Sequence, residues 1–149
     1  MSGPATVHAS AVLVGERGVL IRGTSGSGKS ALLLGLLAVD PAATWLIADD
    51  RVILTAVHGR LLAAAPPALA GLMEIRGQGI VRRSFVSPAP IDLVVDLVPL
   101  AATRRMPPAD EESGQIEGIE LPFLRLPIGA GDGPVKVCAR LARRSATLP

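Results

Sequence analysis

Apolar residues fall into short runs along the chain, each closed by glycine, proline or a pair of charges. Val7 to Val14, rich in valine and alanine, predicts a strand; Gly15-Glu16-Arg17-Gly18 predicts a turn and Val19-Leu20-Ile21 a second short strand. Gly23 to Gly28 alternates glycine with small hydroxyl residues and predicts a loop. Lys29 to about Val39 predicts a helix that stops at Asp40-Pro41, and its apolar residues run all round, as in a largely buried helix. Trp45 to Ala48 predicts a strand ending in two aspartates. Val52 to Val57 and Arg60 to Ala65 predict a hairpin turning at Gly59, broken by Pro66-Pro67.

Beyond that hairpin come a short apolar segment, Leu69 to Met73, and a polar, glycine-bearing passage, Glu74 to Gly79. Ile80-Val81 and Ile91 to Val98 predict strands. Thr103 to Gly118 is the most polar stretch and reads as a mobile loop. Ile119 to Ile128 should return to the sheet, and Val135 to Arg144 should form a last strand or helix. The chain has no internal repeats, and residues 1–149 read as a single α/β domain.

Composition narrows the classes. A chain of 149 residues is long enough to bury about two-thirds of its unfolded surface. With 49% hydrophobic and 19% charged residues it suits a sheet covered on both faces and argues against disorder. Trp45, Phe85 and Phe123 are the whole aromatic complement, so stacking platforms for single-stranded nucleic acid are not expected. At a net charge of +2, the arginines (the pairs Arg82-Arg83 and Arg104-Arg105, and Arg125, Arg140, Arg143, Arg144) suit solvated faces or phosphate ligands better than a nucleic-acid patch. The single Cys138 excludes an internal disulfide and points to a reducing compartment. Ala31 to Val39, the longest apolar run, is too short for a membrane span, and no basic segment precedes the first apolar stretch as in a signal peptide. The expectation is a cytoplasmic domain without membrane or nucleic-acid partners.

Gly23-Thr24-Ser25-Gly26-Ser27-Gly28-Lys29-Ser30 fits G-x-x-x-x-G-K-S/T at every fixed position. It also lies between a predicted strand and a predicted helix, where the motif works. Glycines let successive N–H groups turn inward on phosphate oxygens, and the helix N-terminus adds favourable partial charge. Lys29 would reach the β- and γ-phosphates of ATP, and Ser30 would offer its hydroxyl to Mg²⁺.

Asp49 and Asp50 end the strand that directly follows this helix. Carboxylates at the C-terminal end of such a strand emerge beside the phosphate loop. There one can serve a metal, and another can take the proton of an acceptor hydroxyl.

These residues resemble the HPr kinase/phosphorylase family, bacterial enzymes that phosphorylate a serine of the phosphocarrier protein HPr. Val7 to Val14 is similar to the strand carrying the family's active-site histidine, and Gly23 to Ser30 to its P-loop. Leu46-Ile47-Ala48-Asp49-Asp50-Arg51-Val52 is similar to its acidic segment. Most specific is Leu72-Met73-Glu74-Ile75-Arg76-Gly77-Gln78-Gly79-Ile80, preceded by Ala65-Pro66-Pro67.

The resemblance implies a P-loop kinase core: a mixed β-sheet with the P-loop helix packed on it, similar to phosphoenolpyruvate carboxykinase. It implies Lys29 at the phosphates, Ser30 and Glu74 at Mg²⁺, and Asp50 as the base, with Asp49 a less certain neighbour. His8 is implied near the phosphates and Arg105 as the active-site arginine. Val135 to Val137 resembles the segment linked to dephosphorylation. The implied partners are an HPr-like phosphocarrier of a phosphotransferase system and further copies of the chain in a hexamer.

The chain departs from the pattern in three respects. Its P-loop begins at residue 23, without the family's N-terminal domain; the helices that usually close the C-terminus are not evident; and Ala31 stands where a glutamate usually follows the P-loop serine. The expectation is a minimal catalytic core, like the short forms of some proteobacteria, in which kinase activity is the safer half of the family's two reactions. Two other readings fit the same loop: a small-molecule P-loop kinase, and a regulatory module that binds nucleotide without catalysis, which Ala31 favours. A nucleic-acid-binding NTPase fits less well, for want of aromatics and of a long basic face.

Overall fold

The computed structural model describes residues 5–143, so Arg144 lies outside the described residues. Strand β1 (Ala9–Val14) is followed by β2 (Arg17–Arg22), the P-loop, helix α1 (Lys29–Val39) and β3 (Thr44–Ala48). A hairpin, β4 (Ile53–Val57) and β5 (Arg60–Ala64), precedes a second one, β6 (Leu72–Ile75) and β7 (Gly79–Arg82). The chain then makes β8 (Ala89–Pro90), β9 (Leu93–Val98), β10 (Ser113–Ile116), β11 (Ile119–Pro127) and helix α2 (Gly133–Ala142).

Six strands form one mixed sheet in the order β10-β11-β9-β2-β1-β3. β11, β9 and β2 pair in parallel, while β1 runs antiparallel to both β2 and β3. The C-terminal ends of β2, β3, β9 and β11 therefore share one sheet edge with the start of β1. The sheet is covered on both faces, as the strand sequences require: alternate residues of near-continuous apolar runs point to opposite sides. Val12, Val19, Ile21, Val95 and Leu126 pack with Leu33, Leu36 and Leu37 of α1 and Val137 of α2. Ala11, Leu20, Ile47 and Val94 face the other way, against Leu61, Ala63 and Ala89 of the small β4-β5-β8 sheet. Gly18 is held to glycine by this second layer, because a Cβ there would lie 1.9 Å from the Pro90 carbonyl oxygen.

The expected α/β class, mixed sheet and P-loop helix are all present, and α1 spans the expected residues. The hairpin turn uses His58 (φ 50) with Gly59 (φ 76), both left-handed, as the tight turns that match strand twist need. Two local expectations are corrected. Glu74 and Ile75 are in β6 and Gly79 in β7, so the expected polar passage is the tip of a hairpin. The expected loop 103–118 contains β10, paired with β11; Gly114 leaves room for the Phe123 ring, which a Cβ would meet at 2.8 Å. The last element, expected as a strand or helix from Val135, is a helix and begins at Gly133. Among the described residues, no helix is long and apolar enough to cross a membrane.

Candidate active site

The P-loop runs from the end of β2 to the first turn of α1. Gly26 (φ 79) and Gly28 (φ 98) are left-handed, which orients successive peptide N–H groups toward one side of the loop. A Cβ on either would meet nothing within 4 Å, so the loop is open where a phosphate would lie. Lys29 is 6% exposed, and its Nζ donates to the carbonyls of Gly23 (2.8 Å) and Thr24 (2.9 Å). Those two bonds fold the ammonium back across the loop.

Asp49 is the hub beside it. Its Oδ1 accepts hydrogen bonds from Ser30 Oγ (3.1 Å) and Ser10 Oγ (3.0 Å), and its Oδ2 accepts one from the backbone N–H of Glu74 (3.1 Å). One carboxylate thus ties together β1, the first turn of α1, the end of β3 and β6. Ser10 is fully buried, and its Oγ also accepts from the Asp50 N–H at 3.3 Å.

Asp50 sits at the centre of a three-residue turn closed by the Arg51 N–H to the Asp49 carbonyl at 2.8 Å. Its φ of 68 is left-handed, a conformation that costs a non-glycine residue about 1–3 kcal/mol. The turn presents the side chain to solvent, 63% exposed, with an oxygen 2.7 Å from His8 Nε2. An antiparallel bridge between Val7 and Val52, with N–H···O distances of 2.9 and 3.0 Å, brings the segment bearing His8 alongside the Asp50 turn.

A cavity of about 480 Å³ collects these groups. His8, Asp50, Lys29, Ser30 and Glu74 line it together with Ser25, Gly26 and Gly28. Among the implied catalytic and metal residues, Arg105 stands apart. It follows β9 and lines a separate cavity together with residues of β11 and α2. Ser10 and Arg76 also line the site and were not singled out from sequence. The one signal for Ser10 is a polar residue inside an apolar strand; Arg76 lies within the Leu72–Ile80 motif, and the β6-β7 hairpin brings it to the rim.

A mixed sheet with a glycine-rich phosphate loop at its parallel strand ends, an adjoining helix and an acidic pair on the neighbouring strand defines a P-loop kinase fold. The family model for the HPr Serine kinase C-terminal domain matches residues 1–146, and the chain belongs to that family. It is 32% identical over 142 residues to the HPr kinase/phosphorylase of Mycoplasma mycoides, covering 87% of this chain and 44% of that protein. It is 35% identical over 137 residues to that of Lactobacillus acidophilus, covering 85% and 41%. The chain therefore spans less than half the length of these relatives. The solved structure of the HPr(Ser) kinase/phosphatase from Coxiella burnetii is similar at a TM-score of 0.77 with 25% identity, over 93% of this chain and 88% of that one.

Proposed function

We propose that this domain transfers the γ-phosphoryl group of ATP to a serine hydroxyl of an HPr-like phosphocarrier protein. The observation that carries the reading is the shared cavity: the exposed Asp50 carboxylate opens on the same space as Lys29 and Ser30 of the P-loop. The carrier as acceptor rests on the relatives' names and on family membership.

ATP is the second substrate. Its β- and γ-phosphates would lie against the N–H groups of the Gly26–Gly28 turn, with Lys29 exchanging the carbonyls of Gly23 and Thr24 for phosphate oxygens. The serine oxygen forms a bond to the γ-phosphorus as the bond to the β,γ-bridging oxygen breaks. Asp50 takes the serine proton, and ADP leaves. His8, in contact with Asp50, fixes the direction of that carboxylate. Positioning and charge stabilisation supply most of the rate in such transfers.

The residues fit a magnesium ion by their chemistry: hard oxygen donors on Ser30 and Glu74, beside the Asp49 carboxylate that orients Ser30. The described residues hold no group of three or more His, Cys, Asp or Glu placed for a metal ion. The remaining ligands would thus be phosphate oxygens and water, the usual arrangement for Mg²⁺ in phosphoryl transfer. The ion would neutralise charge on the phosphates. A homo-oligomer, hexameric by the family resemblance, and a cytoplasmic setting belong to the same reading.

Mass spectrometry of a purified HPr-like carrier, incubated with this protein, ATP and Mg²⁺, tests it. The expected result is one added phosphate on a serine, lost in Asp50→Asn while ATP binding persists. Phosphorylation at wild-type rate by Asp50→Asn removes the base assignment. Labelling of a metabolite panel in place of the carrier would make the protein a small-molecule kinase. Tight nucleotide binding with no product would make it a regulatory module.

A further inference from the structure

The second cavity, about 600 Å³, shares no lining residue with the P-loop site. It lies between the chain that leaves β9, the C-terminal half of β11 and the outer face of α2. Its apolar lining comes from Leu124 and Leu126 on the α2-facing side of β11, with Leu100, Phe123 and Ala139 also at its walls. Its rim is cationic: five arginines and Lys136 stand against two carboxylates, Glu111 and Glu112.

Those carboxylates are already committed. Glu111 pairs with Arg104 at 3.0 Å and Arg125 at 3.7 Å, Glu112 pairs with Arg143 at 2.9 Å, and Lys136 pairs with Asp132 at 3.1 Å. Arg105 and Arg140 remain with no carboxylate partner among the described residues. For Arg140 the excess charge is costly: partial burial, and then the neighbouring Arg143 guanidinium, hold its pKa below the ordinary value, against a smaller pull from Glu112. An anion seated between these groups would remove that repulsion, and guanidinium forks match the paired oxygens of phosphate and carboxylate. A bare inorganic ion would leave the apolar lining unused, whereas an organic anion would bury its apolar atoms against it.

We propose that this cavity is a binding site for a small amphiphilic anion, an apolar body of phenyl or short-alkyl size bearing one phosphate or carboxylate group, held by Arg105 and Arg140 over Leu124 and Leu126. The site is independent of the phosphoryl-transfer reading and reassigns Arg105 from the nucleotide to this second ligand.

Calorimetric titration of the whole chain with phenyl phosphate, hexanoate and inorganic phosphate tests it. At least one of the organic anions should saturate a single site at about 1 mM or tighter, at least tenfold more tightly than inorganic phosphate; which one does so identifies the head group. Arg105→Gln with Arg140→Gln should weaken that binding at least tenfold, and Lys29→Ala should leave it unchanged. The reverse pattern would place the anion in the P-loop and overturn the proposal. Equal affinity for inorganic phosphate, or no saturable binding of either organic anion, would also overturn it. Both arginines lie at the surface or half-buried, so the double variant should fold; if it does not, the single variants provide the same comparison.

Discussion

His8 Nε2 lies 2.7 Å from a carboxylate oxygen of Asp50, although the two residues reach the sheet edge on different strands. The backbone bridge between Val7 and Val52 brings them together, and the left-handed turn at Asp50 aims the carboxylate outward. Replacing His8 with alanine removes the contact but leaves that bridge intact. The rate of carrier phosphorylation should fall by about 10²-fold or more, the usual scale for a disturbed proton acceptor. Thermal stability should hardly change, because His8 is 38% exposed. Steady-state kinetics beside a melting curve would check both; an unaltered rate would reduce the pair to a surface contact.

Asp49→Ala should behave differently. Three donors lose their acceptor at once: the hydroxyls of Ser10 and Ser30 and the N–H of Glu74. Ser10 is buried, so its stranded hydroxyl alone should cost about 1–3 kcal/mol. Urea denaturation should show that loss, and nucleotide titrations with and without Mg²⁺ should show the magnesium-dependent share of affinity disappearing.

Leu36 of α1 is 1% exposed and packs among Leu33, Leu37 and the helix-facing side of the sheet. Leu36→Ala should destabilise the fold by about 2–5 kcal/mol through lost burial and a residual cavity. Because α1 begins at Lys29, the same variant should also weaken nucleotide binding. Loss of stability with full nucleotide affinity at low temperature would mean that the P-loop holds its shape without the helix behind it.

Glu112 has a pKa below the ordinary 4.5, chiefly through its hydrogen bond from Arg143, with the charges of Arg143 and Arg140 adding to it and partial desolvation opposing. Its contribution to stability is therefore fully present above pH 4.5 and is lost as the pH falls through the lowered value. The pair is well exposed, so Glu112→Gln should cost under about 1 kcal/mol at neutral pH. The gap between variant and wild type should close under acid conditions. Melting temperatures measured across an acid series would follow it, and a gap that widened with acid would contradict the sign.

Much of the site could be read along the chain. The P-loop is one contiguous stretch whose glycine spacing is itself the geometric requirement, so Gly23 to Ser30 needed no tertiary information. The acidic pair was legible because a short apolar strand delivers its last residues to one sheet edge. The different surroundings of the two aspartates were not: Asp49 is tied down by three donors while Asp50 is exposed beside His8, a division set by a turn with φ 68 that no residue type announces. β10 was hidden for a related reason, since its polar sequence pairs only because β11 offers a partner.

The sequence by itself determined the two-sided sheet, the helix behind the phosphate loop and the family, because apolar runs, glycine spacing and an ordered set of motifs are properties of consecutive residues. Only the tertiary structure decided which distant residues meet. It put His8 on Asp50, made Ser10 a buried support for both aspartates, and sent Arg105 to a second cavity. The physical reason is that strand order and backbone bridges, which arise from packing both faces of the sheet at once, set distances that no local pattern contains.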